Sequence, residues 1–244
     1  MKLPSQPILG LIEGMEVLQY LAATDNELSG VEISKTLGIE KTKVSRILKT
    51  LAYLGFVVPT EKRTYILGPA VHVLSAQMLH GSGLIKDALQ YLIELTELEV
   101  TVAMGVLWRD KVAYTYHWSP GFSPTEGLGR VELFPFTQSS IGIVLSANKA
   151  DGELEEILTN STDKDSNKSK AQFFKEINFA RENGYATTVW NGKKSIALQV
   201  GNPAYSAIAL AHIDPALPDE YYLNILSEKV NLIEDRISNQ TSKT

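Results

Sequence analysis

Residues 29–67 read SGVEISKTLGIEKTKVSRILKTLAYLGFVVPTEKRTYIL. The Ser29-x-x-Glu32 spacing is that of a capping box, in which a serine oxygen and a glutamate carboxylate satisfy orphan amides, so a helix is expected to begin at Ser29. Val31, Ile33 and Leu37 are its apolar positions, and Gly38 can take the left-handed conformation that ends it and turns the chain. In the segment Lys41–Leu51 that follows, Val44, Ile47, Leu48, Leu51 and then Leu54 recur at helical spacing on one face. Lys43, Ser45, Arg46 and Lys49 are left pointing elsewhere. Gly55 stops this second helix. Phe56-Val57-Val58 and Thr64-Tyr65-Ile66-Leu67, joined by the polar loop Pro59–Arg63, read as a two-stranded ribbon with Lys62 and Arg63 at its tip. Helix, turn, basic helix and ribbon in that order make a winged helix-turn-helix, which lays its second helix in the major groove of DNA.

The charge distribution points the same way. Lys41, Lys43, Arg46, Lys49, Lys62 and Arg63 cluster in a chain whose formal net charge is -5. A basic patch on an acidic protein is the footprint of phosphate contact, because each neutralised phosphate releases counterions. Thr42, Lys43, Ser45 and Arg46 are the candidates for base edges, arginine being the best bidentate partner for guanine. Lys49, Lys62 and Arg63 are candidates for phosphate. The alternative is a small three-helix unit whose Lys and Arg only solvate its surface. The overall acidity repels DNA at long range, so binding is expected to depend on the local patch and on dimerisation.

A chain of 244 residues, 44% of them hydrophobic, is long enough for two domains of ordinary size. It has no cysteine, which excludes disulfides, thiolate metal sites and a cysteine nucleophile. Met1–Pro7 lacks the basic-then-apolar pattern of a signal peptide, and no apolar run approaches the ~20 residues of a membrane span, so a cytoplasmic protein without membrane contact is expected.

Leu11, Ile12, Met15, Leu18 and Leu21 form the stripe of a first helix over Ile8–Ala23. Gly68-Pro69 ends the wing, and Val71, Leu74 and Met78 align on a linker helix. The expected organisation is therefore a DNA-binding domain over residues 1–69, a linker helix over 70–82 and a second domain over 83–244, with the boundary near Met78 to Gly83. A helix over Leu84–Glu97 precedes two segments rich in β-branched and aromatic residues, Val100–Leu107 and Lys111–Trp118, which read as a hairpin. A strand over Arg130–Phe134, a helix over Ser139–Ala147, a polar loop over Thr159–Lys170 and a helix over Ala171–Asn183 follow. Strands at Ala186–Trp190, Ser195–Val200 and Ser206–His212 and a closing helix from Pro218 to Ser238 complete an α+β domain with a mainly antiparallel sheet.

Taken together, Lys41–Leu51 followed by Gly55-Phe56, Tyr65-Ile66-Leu67-Gly68 closing the wing, Ser139-Ser140-Ile141-Gly142 opening a helix and Asn183-Gly184-Tyr185-Ala186 before the last strands occur in an order and spacing that resembles the isocitrate lyase regulator (IclR) family of bacterial transcription factors. The resemblance spans nearly the whole chain. It implies a GAF-like effector domain behind the DNA-reading head, a homodimer or dimer of dimers, a double-stranded operator and a small organic effector that alters operator binding, with no cofactor. Carried over by position, the DNA-reading residues are Lys41, Thr42, Lys43, Ser45 and Arg46. Where the family often has an arginine before the glycine of the first helix, this chain has Glu13 before Gly14.

The resemblance also implies an effector pocket between the first hairpin, the helix after the Thr/Ser turn and the last strands. Met104, Tyr114, Tyr116, Thr137, Ser139, Ser140, Trp190, Ser195 and Ala209 are its expected lining. Trp190 and Lys193 stand where relatives often carry acidic residues, and Ala209 and Ala211 where they often place serine. A pocket with so few polar anchors suits an effector larger or more apolar than a two-carbon acid, such as an aromatic or lactone-type compound or a carboxylate of that kind. Each residue also has a plainer reading: Tyr114, Tyr116 and Trp118 at period two as sheet packing, Ser139 and Ser140 as a helix cap. His72, His80, His117 and His212 show no metal-ligand spacing, though His212 could titrate against an acidic effector.

The function expected is that of a ligand-responsive, sequence-specific transcriptional regulator, a repressor of catabolic genes, and not an enzyme. No Gly-x-Ser-x-Gly, His-Glu-x-x-His, P-loop or dinucleotide fingerprint is present to support the alternative of an enzyme with a vestigial DNA-binding head. An interaction module that has lost DNA binding would keep the fold and be indifferent to the basic residues.

Overall fold

The computed structural model describes residues 5–24, 26–81, 84–128, 133–161 and 168–241. Two compact units divide the chain, and the break lies between Ser82 and Gly83. The first holds α1 (Leu9–Ala22), β1 (Leu28–Ser29), α2 (Gly30–Leu37), α3 (Lys41–Tyr53), β2 (Val57–Pro59), β3 (Thr64–Leu67) and α4 (Pro69–Gly81).

Ser29 is the N-cap of α2 rather than its first residue. Its hydroxyl accepts from the Glu32 amide at 3.3 Å and its own amide donates to the Glu32 carboxylate at 2.7 Å, completing the capping box. Gly38 ends α2 at φ 68°, a conformation that costs a residue without Cβ nothing. Val44, Leu48 and Leu51 of α3 pack with Val17 and Leu21 of α1 and Ile33 of α2, each fully buried aliphatic side chain contributing about 1.5–3 kcal/mol. The wing has a third strand: β1 pairs with β3 through Leu28 and Tyr65, so the sheet order is β1-β3-β2. At two residues, β1 is too short to carry an alternating pattern.

The second unit holds α5 (Leu84–Leu95), a 3-10 turn (Thr96–Leu98), β4 (Thr101–Trp108), β5 (Lys111–Trp118), a 3-10 turn (Pro124–Gly127), β6 (Leu133–Pro135), a 3-10 turn (Phe136–Gln138), α6 (Ser140–Ser146), α7 (Asp151–Asn160), α8 (Lys170–Asn183), β7 (Tyr185–Trp190), β8 (Lys193–Val200), β9 (Ser206–Ile213) and α9 (Asp219–Thr241). The strands form one antiparallel sheet in the order β6-β5-β4-β9-β8-β7. Ile208 and Leu210 face the core made with α5 and α9, whereas Ala207 and Ala209, offset by one residue, face α6 and α8. The helix at α7 was not expected, because its Asp and Glu mask a single buried apolar residue, Leu154. The strand expected over Arg130–Phe134 is observed as Leu133–Pro135, and its first residues, like half of the polar loop expected over Thr159–Lys170, lie outside the described residues.

Candidate DNA-reading face and effector pocket

Thr42, Ser45, Arg46 and Lys49 are all exposed and fall at i, i+3, i+4 and i+7 of α3, which puts them in one stripe opposite the buried Val44, Leu48 and Leu51. Lys41 is exposed at the first position of the helix. Lys43 lies one residue, about 100° of helix, round from Thr42 and is bound to α1, its Nζ donating to Glu13 Oε1 at 2.5 Å. The glutamate where the family often has arginine is therefore the partner of a residue expected to read bases.

The wing shows a comparable arrangement. Lys62 Nζ donates to Glu27 Oε1 at 2.7 Å and Thr64 Oγ1 donates to Glu27 Oε2 at 2.6 Å. Lys62 and the Thr64 and Thr60 hydroxyls hold the Glu27 carboxyl well below the usual carboxylate range, at about 2. Lys62 thus fastens the wing to the segment before β1. Among the described residues, Lys41, Arg46, Lys49 and Arg63 form no ion pair. Arg63 sits at the wing turn with φ 63°, where its amide donates to the Thr60 carbonyl at 3.1 Å.

In the second unit a cavity of about 210 Å³ opens on the sheet face that carries α6. Of the nine expected lining residues, Tyr114, Ser139, Ser140, Trp190, Ser195 and Ala209 line it. Met104 and Tyr116 do not: both are fully buried in the core against α5 and α9, on the opposite face of the sheet. For Met104 the cause is alternation along β4, which sends Ala103 to the cavity and Met104 to the other face; for Tyr116 it is a bulge in β5. Met104 pairs with Tyr116 but Gly105 pairs with Tyr114, so Thr115 is an extra residue and the side chains on its two sides face opposite ways. Tyr114 joins the cavity while Tyr116 and Trp118, at the same period-two spacing, are core. Thr137 is buried in the turn beneath the cavity, its carbonyl accepting from Lys168 Nζ at 2.6 Å.

A second bulge shapes the mouth. Lys194 pairs with Ile213 but Ser195 pairs with Ala211, leaving His212 as an extra residue of β9 at φ 61°. His212 therefore turns into the cavity lining, with Nδ1 3.2 Å from Thr101 Oγ1. Burial and the neighbouring Lys193 push its pKa down.

Deeper in, Thr188 Oγ1 and Ser195 Oγ are 2.8 Å apart and Ser195 Oγ donates to Ser140 Oγ at 3.1 Å. Neither Ser139 nor Ser140 acts as a side-chain helix cap: Ser139 occupies the N-cap position of α6 without a side-chain capping bond. α6 packs closely on the preceding 3-10 turn because Gly142 has no side chain; a Cβ there would sit 2.2 Å from the Phe136 carbonyl oxygen. Tyr114, Phe134 and Trp190 form an aromatic rim, with Phe134 6.4 Å from Tyr114 and 6.3 Å from Trp190 between ring centroids. Among the described residues no group of three or more His, Asp or Glu side chains is placed to hold a metal ion, and no helix is long and apolar enough to cross a membrane.

Residues 11–61 match the model of the IclR helix-turn-helix domain. The reading head is similar to the IclR helix-turn-helix domain. The fold of the whole chain is that of solved IclR structures: a proposed regulator from Silicibacter sp. TM1040 (20% identity, TM-score 0.79, covering 93% of this chain and 96% of that one), an IclR family regulator from Brucella abortus (22%, 0.73, 98% and 95%), and an IclR homolog from Microbacterium hydrocarbonoxydans complexed with 4-hydroxybenzoate (16%, 0.72, 94% and 99%). No curated protein sequence matches the chain.

The IclR head brings Thr42, Ser45, Arg46 and Lys49 together and sets Lys43 and Lys62 apart from them in ion pairs. Thr101, Ala103, His117, Phe134, Gln138, Ile141 and Thr188 line the cavity and were not among the expected residues; Lys193, Ala211 and His212, named in the sequence only as departures from the family or as a group that could titrate against an effector, line it too. Alternation along β4 and β7 carries a signal for Thr101, Ala103 and Thr188, whereas the orientation of His212 follows only from its bulge. Ala209 and Ala211 supply no polar group, and the hydroxyls beside them come from neighbouring elements, Thr101, Ser140, Thr188 and Ser195 among them.

Proposed function

We propose that the protein is a sequence-specific, DNA-binding transcriptional regulator of the IclR type, a repressor of catabolic genes, that acts as a homodimer and whose GAF-like second domain senses a compact organic anion. The observation that carries the DNA-binding reading is the exposed stripe Thr42, Ser45, Arg46 and Lys49 on the recognition helix of an IclR head. Arg46 is assigned to base edges together with Thr42 and Ser45, and Lys41, Lys49 and Arg63 to phosphates. Lys43 and Lys62 serve first to fix α3 and the wing.

Dimerisation is supported by an apolar surface on the same unit. Ile8, Leu11 and Met15 from α1 and its approach and Val73, Leu74 and Met78 from α4 are 45–72% exposed, beside a groove of about 480 Å³. Apolar side chains in that number are costly to leave in water.

The effector reading rests on the cavity. Its lining carries the Lys193 ammonium and, among the described residues, no carboxylate, in a protein of net charge -5, so it favours an anion. Its volume is below the usual range for drug-sized ligands, and its aromatic rim suits a single flat ring. A small aromatic carboxylate, the chemistry of the 4-hydroxybenzoate bound by the Microbacterium homolog, meets all three conditions. The test is footprinting of the promoter beside the protein's own gene with the full chain, with and without such acids. Protection that an acid relieves is the expected result; no protection in either condition overturns the reading.

A further inference from the structure

Resting on that effector reading, we infer that the pocket is polarised by depth and orients a two-headed effector, its anionic group at a mouth where Lys193 carries the charge beside the neutral His212 imidazole, and its neutral hydroxyl or carbonyl head on the buried hydroxyls of Ser140, Thr188 and Ser195.

Exposure and chemistry change together along the cavity. Trp190, Lys193 and His212 are exposed at the mouth, Ser195 is half-buried, and Thr188 and Ser140 on the floor are 6% and 3% exposed. Lys193 is the standing charge of the mouth. Its neighbour Lys194 is already neutralised by Asp219 at 2.5 Å, whereas Lys193 forms no ion pair among the described residues. His212 is held beside it by the bulge and by Thr101.

The floor carries the opposite character: neutral polar groups, the hydroxyls of Ser140, Thr188 and Ser195 beside the buried Gln138 carboxamide. With Ser195 donating to Ser140, the proton of the Thr188–Ser195 contact comes from Thr188, so the chain runs Thr188 to Ser195 to Ser140 and ends on the Ser140 hydroxyl proton. That proton and the remaining lone pairs satisfy a ligand hydroxyl, which donates and accepts, or a ligand carbonyl, which accepts the proton; either is neutral and is buried without charge compensation. A carboxylate driven down to this floor would lose its hydration for neutral donors alone, while at the mouth it keeps both water and Lys193.

Lys193 and Ser195 are two residues apart on β8, a separation of about 6.6 Å along an extended strand. That is the length of a ring bearing polar groups at opposite ends. Ala103, Ala209 and Ala211 leave the space between the poles free for the ring itself.

The test is calorimetric titration of the full-length protein with 4-hydroxyphenylacetate, phenylacetate and 4-hydroxyphenylacetamide, which remove the neutral head and the charge in turn. Wild type is expected to bind the first about tenfold or more tightly than either analogue. Lys193→Met should abolish the preference for carboxylate over amide and keep the preference for the hydroxylated compound, and Ser195→Ala should do the converse. The reverse pattern, with Ser195→Ala losing the carboxylate preference, overturns the orientation and leaves the pocket as the effector site. Unchanged titrations in both variants place the compound elsewhere and overturn the inference. A protein that protects its operator and binds none of the three compounds overturns the inference alone, and the regulator reading stands.

Discussion

Replacing Arg63 by glycine separates charge from geometry at the wing. Arg63 holds φ 63°, which glycine adopts without strain, so the turn is retained and only the guanidinium is removed. For duplex DNA, the logarithm of affinity falls with the logarithm of salt by about 0.9 per phosphate neutralised. Extrapolated over the decade from 1 M to 0.1 M, that is about eightfold in affinity per contact and about 60-fold for the two wings of a homodimer. Arg63→Gly is therefore expected to flatten the salt slope by about 1.8 and to weaken operator binding at 0.1 M salt by that factor, with the preference among operator variants unchanged. Lys62→Met is the control. Lys62 is already paired with Glu27, so it releases no counterion on binding, and its loss should leave the slope as in wild type. The assay is fluorescence anisotropy of an operator duplex at five or six salt concentrations. An unaltered slope in Arg63→Gly, or a flattened one in Lys62→Met, refutes the division of labour between the two residues.

Arg46→Ala should relax selection at one base pair by about 1–3 kcal/mol, read as equalised affinities across a set of single-site operator variants. Glu27 has its pKa depressed to about 2 from 4.5, so its contribution to stability is present above about pH 4.5 and is lost as pH falls towards 2. Glu27→Gln should remove that part of the acid sensitivity, visible as a shallower fall of the urea midpoint between pH 5 and 2. Tyr116→Phe breaks the bond to the Pro124 carbonyl at 2.9 Å and should lower stability by about 1–2 kcal/mol without changing effector affinity, whereas Tyr114→Ala should weaken effector binding. Equal effects of the two on titration with an aromatic carboxylate would contradict the β5 bulge. Leu11→Glu and Met78→Glu should each shift the protein from dimer towards monomer in sedimentation velocity.

The reading head was legible because its signals are short-range. A capping box spans four residues, a left-handed glycine acts at its own position, and the spacing of Val44, Leu48 and Leu51 is written in one helix. The alternating segments of the second domain likewise marked their own strands. The pocket was only partly legible: residues of the hairpin, the Ser139–Ser140 turn and β8 do line the cavity, yet Met104 and Tyr116 face the other side of the sheet, and the bulge that turns His212 inward left no sign in the sequence.

The amino-acid sequence by itself determined the order of elements, the reading helix and the strands available to build a pocket, since these follow from neighbours within a turn or a pleat. Tertiary structure alone decided which side chains meet. Each bulge adds one residue to one strand, which reverses the facing of everything beyond it, and whether it forms depends on the partner strand's register. Glu13 with Lys43 and Glu27 with Lys62 are 30 and 35 residues apart, so only the packing of α1 and the wing reveals which cations of the head are held in ion pairs and which stand exposed without one.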